Sequence, residues 1–451
     1  MKTPRQRIVS CVRLLSVLGG LLVPLGPMFA ADRAEQKSLP TALQEYVAIE
    51  DAAFAWSVRE SSELPNGMGK LHQIELTSQQ WQGITWKHLL AVFEPQTLLH
   101  DDQALLFITG GRTGSELREG DLKMGAELAR MTKARCAFLL QVPNQPLLGD
   151  RYEDDLISET FLKYIETRDA TWPLLFPMVK SAVRAMDTLA AFTRQSTGKP
   201  VEHFVVTGAS KRGWTTWLTA VADRRVRGIA PMVIDTLNLP KQTRYQIDVW
   251  GDYSEQIIDY TSKGLVDVLE DKPELPLWKW VDPYTYRSEL NLPKLLINGT
   301  NDPYWVLDAL NNYWSDLNGQ KYILYVPNAG HGLDGGREHA LRTLAAFTAH
   351  IASGTPFPEI KWQHSNGNKN LNLEVSSSAV PQKALLWTAH AEGRDFRKST
   401  WKSTSLAANE KGVFRGSVPR AESGHVALFA EVHFEYRGIP YSFCTQLATD
   451  Y

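Results

Sequence analysis

Three side chains of the types used for nucleophilic acyl transfer lie just after short apolar segments of the sequence. They are Ser210, Asp302 and His331, which follow residues 203–207, 294–298 and 322–326 in turn. A serine becomes nucleophilic when a histidine takes its proton, and a carboxylate then orients the imidazole and stabilises its cation. The residue types therefore predict that Ser210 attacks an acyl carbon, with His331 as general base and Asp302 as its partner.

The residues around Ser210 fit a sharp turn between a strand and a helix. Such a turn needs small neighbours, and Gly208 and Ala209 precede the serine. Arg212 stands where the usual nucleophile elbow has glycine, and Gly213 comes one place later. Ser210 is also a good helix N-cap, so a purely structural role is the alternative.

Alternating strand and helix patterns place these residues at one edge of a sheet. Strands are predicted at 104–109, 137–142, 203–207, 229–234, 294–298 and 322–326, and helices at 171–193, 211–221, 304–317 and 337–351. The predicted strands are rich in Val, Ile, Leu and Phe, as in parallel sheets buried on both faces. The order Ser, Asp, His is that of α/β-hydrolases, which predicts an α/β fold with a mainly parallel central sheet. Asp302 is alternatively only the N-cap of the helix predicted from 304.

Two further segments differ from this alternation. Residues 237–291 are rich in proline and aromatic residues between two strands, which predicts an inserted cap. After Pro356, short strands around a hairpin turn at Arg437 and Gly438 predict an antiparallel β-sandwich. The expected division is an α/β-hydrolase domain over 32–354 and a β-sandwich domain over 355–451.

The oxyanion of a tetrahedral intermediate needs preorganised donors. The backbone N–H of Lys211, at the start of its helix, is one candidate. Gly111, in the glycine pair after the strand at 104–109, is the other, although such a pair is also a plain turn.

Aromatic and acidic residues near these segments are candidates for substrate binding. The chain has 14 tryptophans, and those near the predicted site are Trp214, Trp250, Trp278, Trp280 and Trp305. They are expected either to line an aromatic pocket or to pack the cap on the sheet. Glu153 and Asp154 are candidates for pairing with a substrate amine, as in a prolyl-oligopeptidase-like peptidase, or form the solvated start of a helix.

The N-terminus has the pattern of an export signal. Basic residues precede an apolar run at 14–25, and small residues follow at Ala30 and Ala31. Residues 1–31 are therefore predicted to be a signal peptide, and the protein to be periplasmic or secreted without a stable membrane anchor; a retained anchor is the alternative. The net charge of −2 excludes the basic face of a nucleic-acid-binding protein.

The motifs resemble those of the PhoPQ-activated pathogenicity-related protein family. The likeness rests on residues 208–217, 298–302, 328–331 and 171–173. It implies a hydrolase-like scaffold with an appended β-domain and gives no substrate. The turn at 208–213 is also similar to that of glucuronoyl esterases, which have arginine in place of Lys211; this likeness implies that the Lys211 side chain assists the oxyanion.

The sequence thus predicts an exported serine hydrolase that cleaves an ester or amide of a small molecule, glycan or peptide. The alternatives are a prolyl-oligopeptidase-like peptidase and a non-catalytic secreted signalling or binding protein that retains the fold. No metal or cofactor is expected, because metal-ligand spacings and phosphate-loop motifs do not occur in the sequence.

Overall fold

A fourteen-stranded sheet is the main feature of the computed structural model, which describes residues 38–451. The predicted signal peptide, residues 1–31, lies outside the described residues.

The elements are numbered in chain order. The strands are β1 (Ala55–Glu63), β2 (Gly69–Trp81), β3 (Ile84–Pro95), β4 (His100–Ile108), β5 (Ala134–Leu139), β6 (His203–Ala209), β7 (Val226–Met232), β8 (Lys294–Gly299), β9 (Lys321–Val326), β10 (Ile360–Asn366), β11 (Asn370–Ser377), β12 (Lys383–Ala391), β13 (Lys402–Leu406), β14 (Phe414–Pro419), β15 (His425–Tyr436), β16 (Ile439–Cys444) and β17 (Ala448–Thr449). The helices are α1 (Ala42–Ala48), α2 (Glu119–Thr132), α3 (Glu153–Thr167), α4 (Leu175–Thr197), α5 (Lys211–Ala222), α6 (Leu239–Trp250), α7 (Ile258–Thr261), α8 (Leu265–Asp271), α9 (Pro276–Val281) and α10 (Arg337–Ser353).

The first part of the sheet has the order β1-β2-β3-β5-β4-β6-β7-β8-β9. Strands β5, β4, β6, β7, β8 and β9 run parallel, and β1 to β3 form an antiparallel edge. Two groups of helices pack on this sheet, α2 with α10 and α1 with α4 and α5. Because both faces are covered, the parallel strands are continuously apolar. The predicted α/β-hydrolase fold is confirmed, with helices α6 to α9 inserted as a cap between β7 and β8.

The C-terminal strands extend the same sheet. The order continues β9-β16-β15-β12-β13, and the junction is the pairing of Ile323 in β9 with Cys444 in β16. A separate antiparallel sheet, β10-β11-β14, packs against β15. Arg437 and Gly438 both have positive φ, as the predicted tight hairpin turn requires. The domain boundary near residue 355 stays a prediction, and residues 39–451 form one compact unit.

The helix predicted over 304–317 is wrong. The segment forms two short 3₁₀ turns instead, Ala309–Asn312 and Trp314–Asp316. Two of its side chains form hydrogen bonds to distant parts of the chain instead: Asn311 donates to Leu447 O, and Asn312 donates to the Gln242 side chain.

Within residues 38–451, no helix combines the length and apolarity needed to cross a bilayer. In the described part of the chain, Cys136 and Cys444 are both buried and form no disulfide.

Candidate active site

Ser210 lies on the sharp turn between β6 and α5. Its backbone has φ 57° and ψ −124°, a conformation that non-glycine residues adopt only under strain. The Ser210 N–H donates to Met232 O at 2.9 Å, and the Ser210 side chain does not cap α5. A Cβ on Gly208 would lie 2.7 Å from the carbonyl oxygen of Arg212, which explains why glycine precedes the turn. The alternative of an N-cap serine therefore has no support in the geometry.

Asp302 and His331 are paired through the histidine Nδ1 atom. The distance from Nδ1 to Asp302 Oδ2 is 2.8 Å, and the other carboxylate oxygen accepts the Tyr304 N–H at 2.9 Å. Asp302 therefore both caps the loop and holds the imidazole. The His331 Nε2 atom is buried and has no hydrogen-bond partner among the described residues. The Tyr304 ring lies 4.2 Å from the imidazole, centroid to centroid, and fixes it from one side.

Ser210, Lys211 and His331 line one cavity beneath the cap. It contains about 820 Å³ of non-protein space, counting its open mouth. Most of its wall is aliphatic and aromatic. Trp214, Trp278 and Trp305 belong to this wall, as the aromatic-pocket interpretation expects.

The other two tryptophans lie elsewhere. Trp250 lines a smaller hollow beside Asp302, where the Arg397 guanidinium lies 4.1 Å from its ring centroid. Trp280 packs against Tyr164 and is not among the residues lining either space. For Trp280 the core-packing interpretation fits its position.

Glu153 forms a bidentate ion pair with Arg212, the residue in the place of the elbow glycine. The two distances are 2.6 and 2.8 Å, and Arg212 Nε also donates to Val142 O. Burial raises the pKa of Glu153, but the bonds from Arg212 and Gln145 and the nearby charges outweigh it and lower the pKa to about 2. Glu153 is therefore a charged structural partner of Arg212.

Asp154 joins three parts of the cavity. Its carboxylate lies 2.7 Å from Lys211 Nζ and accepts the hydroxyl of Tyr260, in the cap, at 2.9 Å. The Tyr304 hydroxyl donates to it at 3.4 Å. Both acids proposed for a substrate amine are thus already paired with a cation of this chain.

The two predicted oxyanion donors differ in position. Lys211 is the first residue of α5, so its backbone N–H has no acceptor within the helix, and the residue lines the cavity. Gly111 has φ 112° in the loop after β4 and is not among the residues lining the cavity. Its neighbour Gly110 is needed for close approach, because a Cβ there would lie 2.4 Å from the Arg212 guanidinium.

Sequence reasoning missed Tyr260, Tyr304 and Asp235. Asp235 follows β7, is buried, and accepts hydrogen bonds from Asn298 and Tyr313. Burial raises its pKa to about 6 despite those bonds. Asp235 could have been found from the sequence, because it directly follows a predicted strand. No sequence pattern points to Tyr260 or Tyr304. Within the described residues, no cluster of three or more His, Cys, Asp or Glu side chains is placed to hold a metal ion.

Two solved structures illustrate the fold likeness. Acetyl xylan esterase 1 from Thermoanaerobacterium sp. JW/SL YS485 has a TM-score of 0.47 and 16% identity, covering 69% of this chain and 94% of that one. Glucuronoyl esterase from Solibacter usitatus has a TM-score of 0.46 and 13% identity, covering 70% and 92%. Both TM-scores are below 0.5.

Sequence comparison gives the family. The chain is 28% identical over 430 residues to autocrine proliferation repressor protein A of Dictyostelium discoideum, covering 88% of this chain and 86% of that protein. The profile of a family described as PhoPQ-activated pathogenicity-related protein matches residues 43–397, which include the turn at Ser210, the Asp302 loop and His331. The chain belongs to the PhoPQ-activated pathogenicity-related protein family.

Proposed function

We propose that the protein is an exported serine hydrolase that cleaves a carboxylic ester through an acyl-enzyme. One observation carries the proposal: a serine in strained backbone and a histidine bonded through Nδ1 to a buried aspartate line the same cavity. The Nε2 atom of His331, which is buried and has no hydrogen-bond partner within residues 38–451, is the atom that a general base would use. Export rests on the basic and apolar pattern of residues 1–31.

In the proposed reaction, His331 Nε2 takes the proton of Ser210 Oγ as Oγ attacks the acyl carbon. The tetrahedral oxyanion accepts a hydrogen bond from the Lys211 N–H. His331 returns the proton to the leaving oxygen, the alcohol departs, and the acyl group stays on Ser210. Water then attacks the acyl-enzyme by the same proton path, releasing the acid and regenerating the serine.

The charges favour an ester over a peptide with a free amine. An aminopeptidase-like site needs an acid available for the substrate ammonium, but Glu153 is paired with Arg212 and Asp154 with Lys211. Burying a further cation beside two existing ones is unfavourable. We therefore place amide cleavage second.

Hydrolysis of p-nitrophenyl esters and aminoacyl-p-nitroanilides by the purified protein tests this proposal. We expect ester hydrolysis that Ser210→Ala abolishes and the exposed-site control Ser288→Ala leaves unchanged. Ester hydrolysis that survives in Ser210→Ala, or a clear preference for the anilides, would contradict it.

A non-catalytic signalling role is the second candidate. It is favoured by the name of the Dictyostelium relative, which describes repression of proliferation. If a Ser210→Ala variant retains the full biological effect of the protein, signalling replaces catalysis as its function.

A further inference from the structure

The cap gives the cavity beside Ser210 an apolar wall that the catalytic proposal does not use. Leu265, Val266 and Leu269 of α8 line it, together with Ile257 just before α7. Helices α3 and α5 add Phe161 and Trp214. These side chains enclose a space next to the proposed nucleophile that can exclude water from a hydrocarbon group.

Several polar side chains of the cavity wall are already bonded within the protein, whereas the indole N–H groups of Trp278 and Trp305 have no partner among the described residues. The Gln242 side chain donates to the carbonyl oxygens of Leu237 and Ala309, and the Gln246 side chain donates to Tyr304 O. The Tyr260 hydroxyl donates to Asp154. A sugar ring in this space would lose water and find few partners for its several hydroxyl groups, which is unfavourable.

Contacts between the cap and α3 hold the wall in place. Lys263, between α7 and α8, donates to Asp155 Oδ1 at 2.5 Å and to Ser158 Oγ at 2.7 Å. The Tyr260–Asp154 bond lies on the same side. The cavity is therefore formed before a ligand binds, so little ordering free energy is lost on binding.

We propose that this cavity binds the acyl group of the substrate and selects esters of apolar acids with medium-length chains over acetyl esters. The selection of acyl length rests on the proposed function, but the binding of an apolar chain does not. The polar alcohol part of the ester then lies toward the open mouth of the cavity.

The test is a chain-length series of p-nitrophenyl acetate, butyrate, octanoate and dodecanoate with the purified protein. We expect kcat/KM for octanoate to exceed that for acetate at least about tenfold, because buried methylene groups contribute only in the longer ester. Val266→Phe, which fills the cavity, should lower the ratio of the octanoate to the acetate kcat/KM about tenfold. Glu270→Phe, on the exposed face of the same helix, is the matched control and should leave this ratio unchanged.

A binding measurement separates this inference from the catalytic proposal. Tryptophan fluorescence of Ser210→Ala should report binding of methyl octanoate and not of methyl acetate, since three tryptophans line the cavity. Octanoate binding without any ester hydrolysis by the wild type would refute the catalysis and support the apolar site. If the wild type hydrolyses acetate better than octanoate, and Ser210→Ala binds methyl octanoate no better than methyl acetate, the apolar site is refuted. The catalytic proposal would then still stand. If Val266→Phe does not fold, Leu269→Ala should extend the preference towards dodecanoate, and an unchanged profile there would contradict the inference.

Discussion

At the scale of single residues, Asp302 has two separate tasks. One carboxylate oxygen accepts the Tyr304 N–H and shapes the loop, and the other is bonded to His331 Nδ1. An asparagine can keep the first bond but presents an amide, or a neutral oxygen, to the imidazole. The substitution Asp302→Asn, which keeps the size and shape of the side chain, therefore removes the charge beside His331 while leaving the loop in place.

We predict that Asp302→Asn lowers kcat on the order of 10³- to 10⁴-fold with little change in KM, because the imidazole cation loses its stabilising charge. Steady-state kinetics on the preferred ester measures this effect. Asp334→Asn, an exposed carboxylate near His331, is the control. A kcat within a few-fold of the wild type would remove Asp302 from the mechanism.

Which site residues were predictable follows from where they lie along the chain. Ser210, Asp302 and His331 each follow an apolar strand, so local pattern and chain order bring them together. Asp154 and Tyr304 meet across 150 residues, and no local pattern encodes that contact. Charge pairs also mislead: the acidic run at Glu153 suggests a solvated face or an amine site, but Arg212 neutralises it inside the fold.

At the scale of elements, the cap is held to α3 by few polar contacts. Lys263 makes bonds to both Asp155 and Ser158, and its side chain is 17% exposed. Its long stem covers apolar surface while the ammonium reaches α3. We therefore expect this lysine to contribute to the position of α8, and with it of one cavity wall.

We predict that Lys263→Met increases amide hydrogen exchange over residues 255–271 and raises KM for long-chain esters several-fold, with kcat little changed. The methionine keeps the apolar stem and removes the cation, so loss of the cap's attachment is the cause. The exposed Lys272→Met is the matched control. Unchanged exchange over that segment would show that the cap is held by its apolar contacts.

Helices and strands were predictable where the apolar residues of a segment follow a single spacing along the sequence. The parallel strands are short and rich in Val, Ile, Leu and Phe, and all of those predicted are present. The segment 304–317 also has helical spacing, because Leu310, Tyr313, Trp314 and Leu317 are buried. Tertiary hydrogen bonds to the cap and the C-terminus prevailed over that local preference there.

At the scale of the whole molecule, the C-terminal segment supports the loops of the candidate site. Asn301, beside Asp302, donates to the carbonyl oxygens of Arg397 and Ser399. Asn328, three residues before His331, exchanges hydrogen bonds with the backbone of Trp401. The pairing of β9 with β16 joins Ile323 to Cys444, which are 121 residues apart in the chain. Sequence periodicity cannot predict so distant a contact.

A buried carboxylate joins α10 to this C-terminal part of the sheet. Glu431 accepts hydrogen bonds from Trp387 and Ser442, and the ring nitrogens of His339 and His433 lie 3.1 and 3.3 Å away. Burial raises the pKa of Glu431, but the bonds and charges of the two imidazoles outweigh it, and the pKa is lowered. The charged form is therefore the one that the fold stabilises.

We predict that Glu431→Gln lowers the free energy of unfolding by about 2–3 kcal/mol at neutral pH, since hydrogen bonds to a charged acceptor are lost. The folded pKa is depressed, so this stability is present above the unfolded value of about 4.3 and is lost as pH falls below it. Urea unfolding at several pH values measures both effects, with the exposed Glu435→Gln as control. Equal stability of variant and wild type at pH 7 would contradict the assignment.

The central claim is that Ser210 is a nucleophile activated by His331. Incubating the folded protein with a fluorophosphonate and mapping the adduct by peptide mass spectrometry tests it most directly. We expect one adduct, on Ser210, that is absent from Ser210→Ala and forms far more slowly in His331→Ala. Folded protein that stays unlabelled, or a label that persists in Ser210→Ala, would contradict the claim.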